Sequence, residues 1–228
     1  MSSGLLEFLA GNGSKAESIP FGIAPGVVTD NLNVLSEGRV QVHIPALPDF
    51  DPWARVASIG AGSDRGFLWL PEIDDEVLVA FNKNDDRDAY VIGGLWSTLN
   101  RPPATVPTDF ITKRIIKTGK KNSPLAHEIE IDDALQSIKI TTSTAQEIVM
   151  DTEKIAISTS QGLLKITLDI LSAPPAIQIE ATAGDIKLSA PLGTIKLEGL
   201  NVDIQSTIAT DLKSNGFVTV QGTMVKIN

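Results

Sequence analysis

The 228-residue sequence predicts an all-β fold: a small closed barrel followed by a shaft of very short strands. Three observations carry that reading. Apolar and polar residues alternate at period two through most of the chain, which places one set on each face of a strand. No stretch of any length shows a helical period. The last third repeats a single apolar–polar–apolar unit separated by turns. Composition agrees, because the hydrophobic content of 42% is rich in Ile, Leu, Val and Ala while aromatics make up only 5%, and β-branched residues favour strands.

Taken in order, residues 1–20 hold Gly11, Gly13, Ser14 and Pro20 and are read as a flexible N-terminal tail. The opening Met1-Ser-Ser-Gly-Leu-Leu-Glu has no basic segment before its short apolar run, so no secretory signal is expected. No apolar run approaches the roughly 20 residues of a membrane span.

Residues 21–97 contain five strand candidates: Gly26-Val-Val-Thr-Asp, Gly38-Arg-Val-Gln-Val-His-Ile-Pro, Trp53-Ala-Arg-Val-Ala, Asp75-Glu-Val-Leu-Val-Ala-Phe and Ala89-Tyr-Val-Ile-Gly-Gly-Leu-Trp. Clusters of Gly, Pro, Asn and Asp separate them. Five strands in so short a stretch would expose sticky edges unless the sheet closed, and the five-stranded OB-fold is the natural closed solution. Pro45 and Pro71 fall at strand ends, where they remove no ladder bond. Residues 98–110 carry Pro102, Pro103 and Pro107 and are read as a stiff extended linker.

Residues 111–228 hold the repeats. Ile129/Ile131, Ile138/Ile140, Ile148/Met150, Ile155/Ile157 and Leu164/Ile166/Leu168 lead into Ile177-Gln-Ile-Glu, Asp185-Ile-Lys-Leu, Thr194-Ile-Lys-Leu, Asn201-Val-Asp-Ile, Phe217-Val-Thr-Val and Met224-Val-Lys-Ile. Leu171-Ser-Ala-Pro-Pro-Ala interrupts the series as a loop. Self-similarity at short period marks a β-helix or related solenoid. Each unit offers only one narrow apolar edge, and the unit length wanders, unlike the steady coil of a single-chain β-helix. The segment is therefore expected to take its core and its missing ladder bonds from other copies, as an intertwined trimeric β-helix or β-prism.

Several chemistries are disfavoured. A net charge of −9 opposes phosphate backbones, so nucleic-acid binding is not expected. With no cysteine there are neither disulfides nor thiolate metal sites. His43 and His127 lack a third ligand at metal spacing, and the acids of Asp85-Asp-Arg-Asp and Asp74-Asp-Glu fit no EF-hand. There is no Gly-x-Ser-x-Gly elbow and no phosphate loop. Hence no catalytic residue, cofactor or metal is assigned. Trp53, Trp69 and Trp96 are read as core or inter-subunit packing, and Lys113, Arg114, Lys117, Lys120 and Lys121 as a solvated basic neck.

Gly38-Arg-Val-Gln-Val-His-Ile-Pro, Trp53-Ala-Arg-Val-Ala, the run from Gly60 to Phe81 and Asp88-Ala-Tyr-Val-Ile-Gly-Gly-Leu-Trp, in that order and spacing, resemble the OB domain of the phage baseplate assembly protein V and VgrG-like spike family. The family pattern has Val-Gly-Asp-Glu-Val where this chain has Ile73-Asp-Asp-Glu-Val, so Asp74 alters one turn. The resemblance implies an OB barrel followed by a triple-stranded β-prism, three chains forming the central spike of a contractile injection machine. That machine would be a phage tail, a tailocin, a type VI system or an extracellular injection particle. It further implies assembly in the producing cell's cytoplasm, contact with baseplate and tube components, and transient contact with a target membrane. Only about 20 residues precede the barrel, which points to a separate hub protein. No histidine lies near the C-terminus, so Met224, Val225, Lys226, Ile227 and Asn228 are expected to form a blunt end capped by a PAAR-like tip protein.

Two other readings remain open on sequence. One is an OB-fold module binding carbohydrate or single strands on a β-helical stalk. The other is a β-helix carbohydrate-active enzyme, which would need carboxylates clustered on one solenoid face.

Overall fold

The structure, a computed structural model, describes residues 22–32, 37–82, 85–104, 106–119 and 123–227. The N-terminal tail, Lys120, Lys121 and Asn228 fall outside them. The chain divides into two compact units, one running to Ala183 and the other from Gly184.

Strands β1 (Ile23–Asp30), β2 (Arg39–His43), β3 (Trp53–Val56), β6 (Glu76–Asn82) and β7 (Asp85–Leu95) close into a barrel in the order β1-β2-β3-β7-β6. Only β3 and β7 run parallel; the other described pairs are antiparallel. Alternation builds the core directly. Val28, Val40, Val42, Ile44, Ala54, Val77, Val79 and Val91 point inward and are buried, while their neighbours face out. Gly26 lies where β1 crosses β2. A Cβ there would meet Val42 Cγ1 at 2.5 Å, so the crossing needs a residue without a side chain. The expected five strands and their closure hold, with β1 starting three residues earlier than its sequence pattern suggests.

A small hairpin, β4 (Ala61–Gly62) with β5 (Arg65–Gly66), stands off the barrel. It has no counterpart in the sequence reading, because glycines leave no alternation to detect. The linker is less extended than its prolines suggest, since it ends in one helical turn, α1 (Asp109–Thr112).

Next comes an antiparallel meander of seven strands: β8 (Lys113–Lys117), β9 (Glu128–Asp132), β10 (Ser137–Thr141), β11 (Glu147–Met150), β12 (Lys154–Ser158), β13 (Leu164–Asp169) and β14 (Ala176–Ala181). This differs from the expectation that every short strand takes its ladder bonds from a neighbouring chain. Each hairpin closes locally, at small loop entropy, so the chain pairs with itself here. Of the basic cluster, Lys113, Arg114 and Lys117 lie on β8, paired to β9; Arg114 and Lys117 are exposed, and Lys113 and Lys117 meet acids on β9.

In the second unit, residues 185–227 contain neither helix nor paired strand. Among these described residues a single backbone–backbone hydrogen bond is made, from Gly193 N–H to the Ala190 carbonyl at 3.2 Å.

Candidate assembly interface

The hairpins of the meander carry two capping devices, one for each edge of the sheet. At the turns after β9, β11 and β13 an aspartate accepts two backbone N–H groups. Asp132 Oδ1 takes Ala134 and Leu135 at 2.9 and 3.0 Å. Asp151 Oδ1 takes Glu153 and Lys154, both at 2.8 Å, and Asp169 Oδ1 takes Leu171 and Ser172, both at 3.0 Å. At the opposite edge a threonine hydroxyl accepts an N–H across the turn: Thr118 from His127 at 2.9 Å, Thr142 from Gln146 at 3.1 Å and Thr159 from Leu164 at 3.1 Å. Short polar side chains that bond nearby backbone are the chemistry of tight turns. Two hydrogen bonds to its charged form hold the Asp151 carboxyl below its ordinary value, that from Glu153 N–H first and that from Lys154 second.

The registers stack the apolar residues into two continuous columns. One runs Ile116, Ile129, Ile140, Ile148, Ile157, Ile166, Ile179. The other runs Arg114, Ile131, Ile138, Met150, Ile155, Leu168, Ile177. The strip is two side chains wide and about 29 Å long, from six inter-strand steps of about 4.8 Å. Among the described residues nothing covers it: its apolar members are 36–74% exposed. An open trough of about 330 Å³ lies along it between Ile140, Ile148, Ile157, Leu164 and Ile166. Removing the remaining exposed surface of each such side chain is worth on the order of 1 kcal/mol.

The other face of the sheet carries charge pairs on β8 to β11. Lys113 Nζ lies 3.3 Å from Glu130 and 3.7 Å from Asp132, Lys117 lies 2.5 Å from Glu128, and Lys139 lies 2.8 Å from Glu147. The hydrogen bond to Glu130 chiefly raises the Lys113 ammonium above its ordinary value. This face presents paired charges to water, whereas the apolar face presents uncovered side chains.

The second unit repeats the contrast without a ladder. Ile195/Leu197, Val202/Ile204, Val218/Val220 and Val225/Ile227 are exposed. Residues of the other parity pair along the chain, Lys196 with Glu198 and Lys213 with Asp211. Met224, Val225, Lys226 and Ile227 of the expected tip all lie exposed.

Other flagged residues resolve as follows. His43 pairs with Asp51 at 2.9 Å on the barrel, and His127 Nδ1 accepts Ser143 N–H at 3.3 Å. Among the described residues no cluster of three metal-ligating side chains occurs. None of the tryptophans is in the barrel core. Trp53 is half-buried on β3, Trp69 stacks on Phe67 with centroids 6.0 Å apart, and Trp96 is exposed. Sequence reasoning missed Ile116 and Arg114 as the heads of the two columns, and missed the capping aspartates and threonines. A strand-end Asp or Thr at every turn between Ile pairs was the available signal.

The barrel is followed by a sheet with one charge-bearing face and one exposed apolar face. Comparison with known proteins supplies the class of the barrel. Residues 24–96 match the family model described as the Type VI secretion system/phage-baseplate injector OB domain, and the resemblance to baseplate and VgrG-like spike proteins stands. The chain is 34% identical over 107 residues to the type VI secretion system spike protein VgrG2a of Pseudomonas aeruginosa, which is 44% of this chain and 13% of that protein. It is 30% identical over 102 residues to the actin cross-linking toxin VgrG1 of Vibrio cholerae, 42% of this chain and 9% of the relative. The spike protein VgrG3 of Vibrio cholerae is 29% identical over 109 residues, 45% of this chain and 11% of that protein. The matched stretch is thus a small fraction of each relative's length. Among the described residues no helix is long and apolar enough to cross a membrane.

Proposed function

We propose that this protein is a structural, non-enzymatic subunit of the central spike of a contractile injection machine, acting as a homotrimer. The observation that carries the reading is the pattern of residues 185–227: recurring apolar–polar–apolar triplets with one internal backbone–backbone hydrogen bond. Backbone groups left unpaired beside apolar side chains cannot be buried by their own chain. Strands from other copies supply both the ladder partners and the core, and the open columns of the meander extend the same requirement upstream.

In this reading three meander faces close a narrow prism with their isoleucines inside and their ion pairs outside. Sheath contraction supplies the force, and the laddered shaft transmits it into a target envelope. The barrel engages a hub component, with baseplate and tube proteins around it, and the particle assembles in the producing cell's cytoplasm. Met224–Asn228 offer a docking platform to a PAAR-like tip protein.

Light scattering on the purified chain tests the trimer. The expected mass is three times the 24.3 kDa chain. A folded, stable monomer would remove the basis of the spike reading.

A further inference from the structure

The two parts of the shaft solve their pairing in different ways, and the sequence marks the difference. Every hairpin of the meander has its aspartate or threonine cap. In the meander the cap stands one residue (Asp) or two residues (Thr) after the strand's last apolar residue, and in the second unit those positions are Ser189 and Ala190, Glu198 and Gly199, Gln205 and Ser206, and Gln221 and Gly222. No aspartate or threonine stands there, and no hairpin forms.

A second difference concerns register. In the meander, turn length and caps allow one pairing for each strand, because a slip of one residue would turn every isoleucine to the charged face. The second unit has no such lock. Ile186/Leu188, Ile195/Leu197, Val202/Ile204, Val218/Val220 and Val225/Ile227 recur after 9, 7, 16 and 7 residues. A slip by seven residues would still set Val202/Ile204 on Ile195/Leu197 and Val225/Ile227 on Val218/Val220. Between separate chains such slipped pairings are close in energy, so local pattern alone does not choose among them.

We propose that the capped meander, Lys113–Ala181, is the register-setting nucleus of the shaft. Its strands pair within the chain first. Its two columns then bring three copies together, and this fixes a common starting level at Gly184. From that level residues 184–227 of the three chains pair in the single register that the clamp permits. The inference rests on the trimer reading above and adds an order of assembly and a division of labour. Local hairpins form before non-local pairings because they lose less chain entropy, and intermolecular strands with degenerate repeats come last.

Two substitutions in the full chain, read by mass and by amide hydrogen exchange, test it. Ile204→Asp places a charge among the inward residues of the second unit. The expected result is a trimer by light scattering, with exchange protection kept in 128–181 and lost only within 184–227. Ile148→Asp interrupts a column between Ile140 and Ile157. The expected result is a monomer in which 184–227 loses protection although its own sequence is unchanged. Should Ile148→Asp fail to fold, pulse-labelled refolding of the unaltered chain replaces it, with protection in 128–181 expected to precede protection in 184–227. An Ile204→Asp monomer, a dispersed Ile148→Asp chain still protected in 184–227, or the reverse refolding order would each overturn the proposal. An unaltered chain that is itself monomeric would instead overturn the trimer reading beneath it.

Discussion

Asp74 holds its backbone at φ 77°, in the left-handed region. Its N–H reaches the Val28 carbonyl at 2.9 Å and its own carbonyl accepts the Asn100 amide at 3.1 Å, so the conformation is tied at both ends. That conformation costs an ordinary L-residue about 1–2 kcal/mol, and aspartate is among the residues that tolerate it best. The glycine that related barrels carry at this turn is thus explained by geometry. Asp74→Gly relieves the strain but adds freedom to the unfolded chain, and the expected net change is within about 1 kcal/mol. Asp74→Val, branched at Cβ, is expected to destabilise the barrel by about 1–2 kcal/mol more. Urea unfolding followed by tryptophan fluorescence checks both, and a valine variant as stable as the parent would refute the strain. The departure at this residue was legible in the sequence as a mismatch to a pattern. Its cause was not, because a dihedral angle leaves no trace in composition.

At the scale of elements, the hairpin caps link sequence to pH. Asp151 sits below its ordinary value of 3.8 in the folded chain because Glu153 N–H, then Lys154 N–H, bond its charged form. A carboxyl depressed on folding stabilises the native state above its unfolded value, and that contribution is lost as pH falls through the folded value. The cap is therefore fully present at neutral pH and fades below 3.8. Asp151→Asn keeps an accepting oxygen but does not titrate. Its melting temperature is expected to fall less steeply than that of the unaltered chain in acid below about pH 4, and parallel curves would show that the cap does not report on stability. The barrel strands and the Ile pairs from β9 onward were readable beforehand, since burial on one face enforces the period of two. Strand β8 was hidden because Lys113, Arg114 and Lys117 masked its alternation, the acidic partners of Lys113 and Lys117 lying on the following strand. The β4–β5 hairpin escaped because Gly62 and Gly66 have no side chain to alternate. The caps escaped because single aspartates and threonines occur everywhere, and only their recurrence at alternate edges gives them meaning.

For the molecule as a whole, periodicity reveals that a core is missing but not whose chain supplies it. The backbone of the same apolar–polar–apolar unit is paired within the chain in 113–181 and left unpaired in 185–227. Charge sets the barrel end apart from both: residues 1–112 hold 7 Lys and Arg against 15 Asp and Glu, whereas residues 113–183 hold 8 against 9. Residues 184–228 carry Lys187, Lys196, Lys213 and Lys226 against Asp185, Glu198, Asp203 and Asp211, four of each sign, so the net charge of −9 belongs entirely to residues 1–183. In the proposed spike a neutral leading segment would meet an anionic envelope without the long-range repulsion that the acidic barrel end would feel, a repulsion that fades over about 8–10 Å at physiological salt. Neutrality also suits a short-range, apolar contact at the end, where Met224, Val225 and Ile227 are exposed. Deleting Val225–Asn228 removes one inward pair and leaves those upstream in place. The expected result is an unchanged oligomer mass together with loss of co-purification with a co-expressed PAAR-repeat protein. Retained co-purification would place the tip contact elsewhere, and a drop to monomer would mean that the last unit holds the shaft together rather than presenting its end.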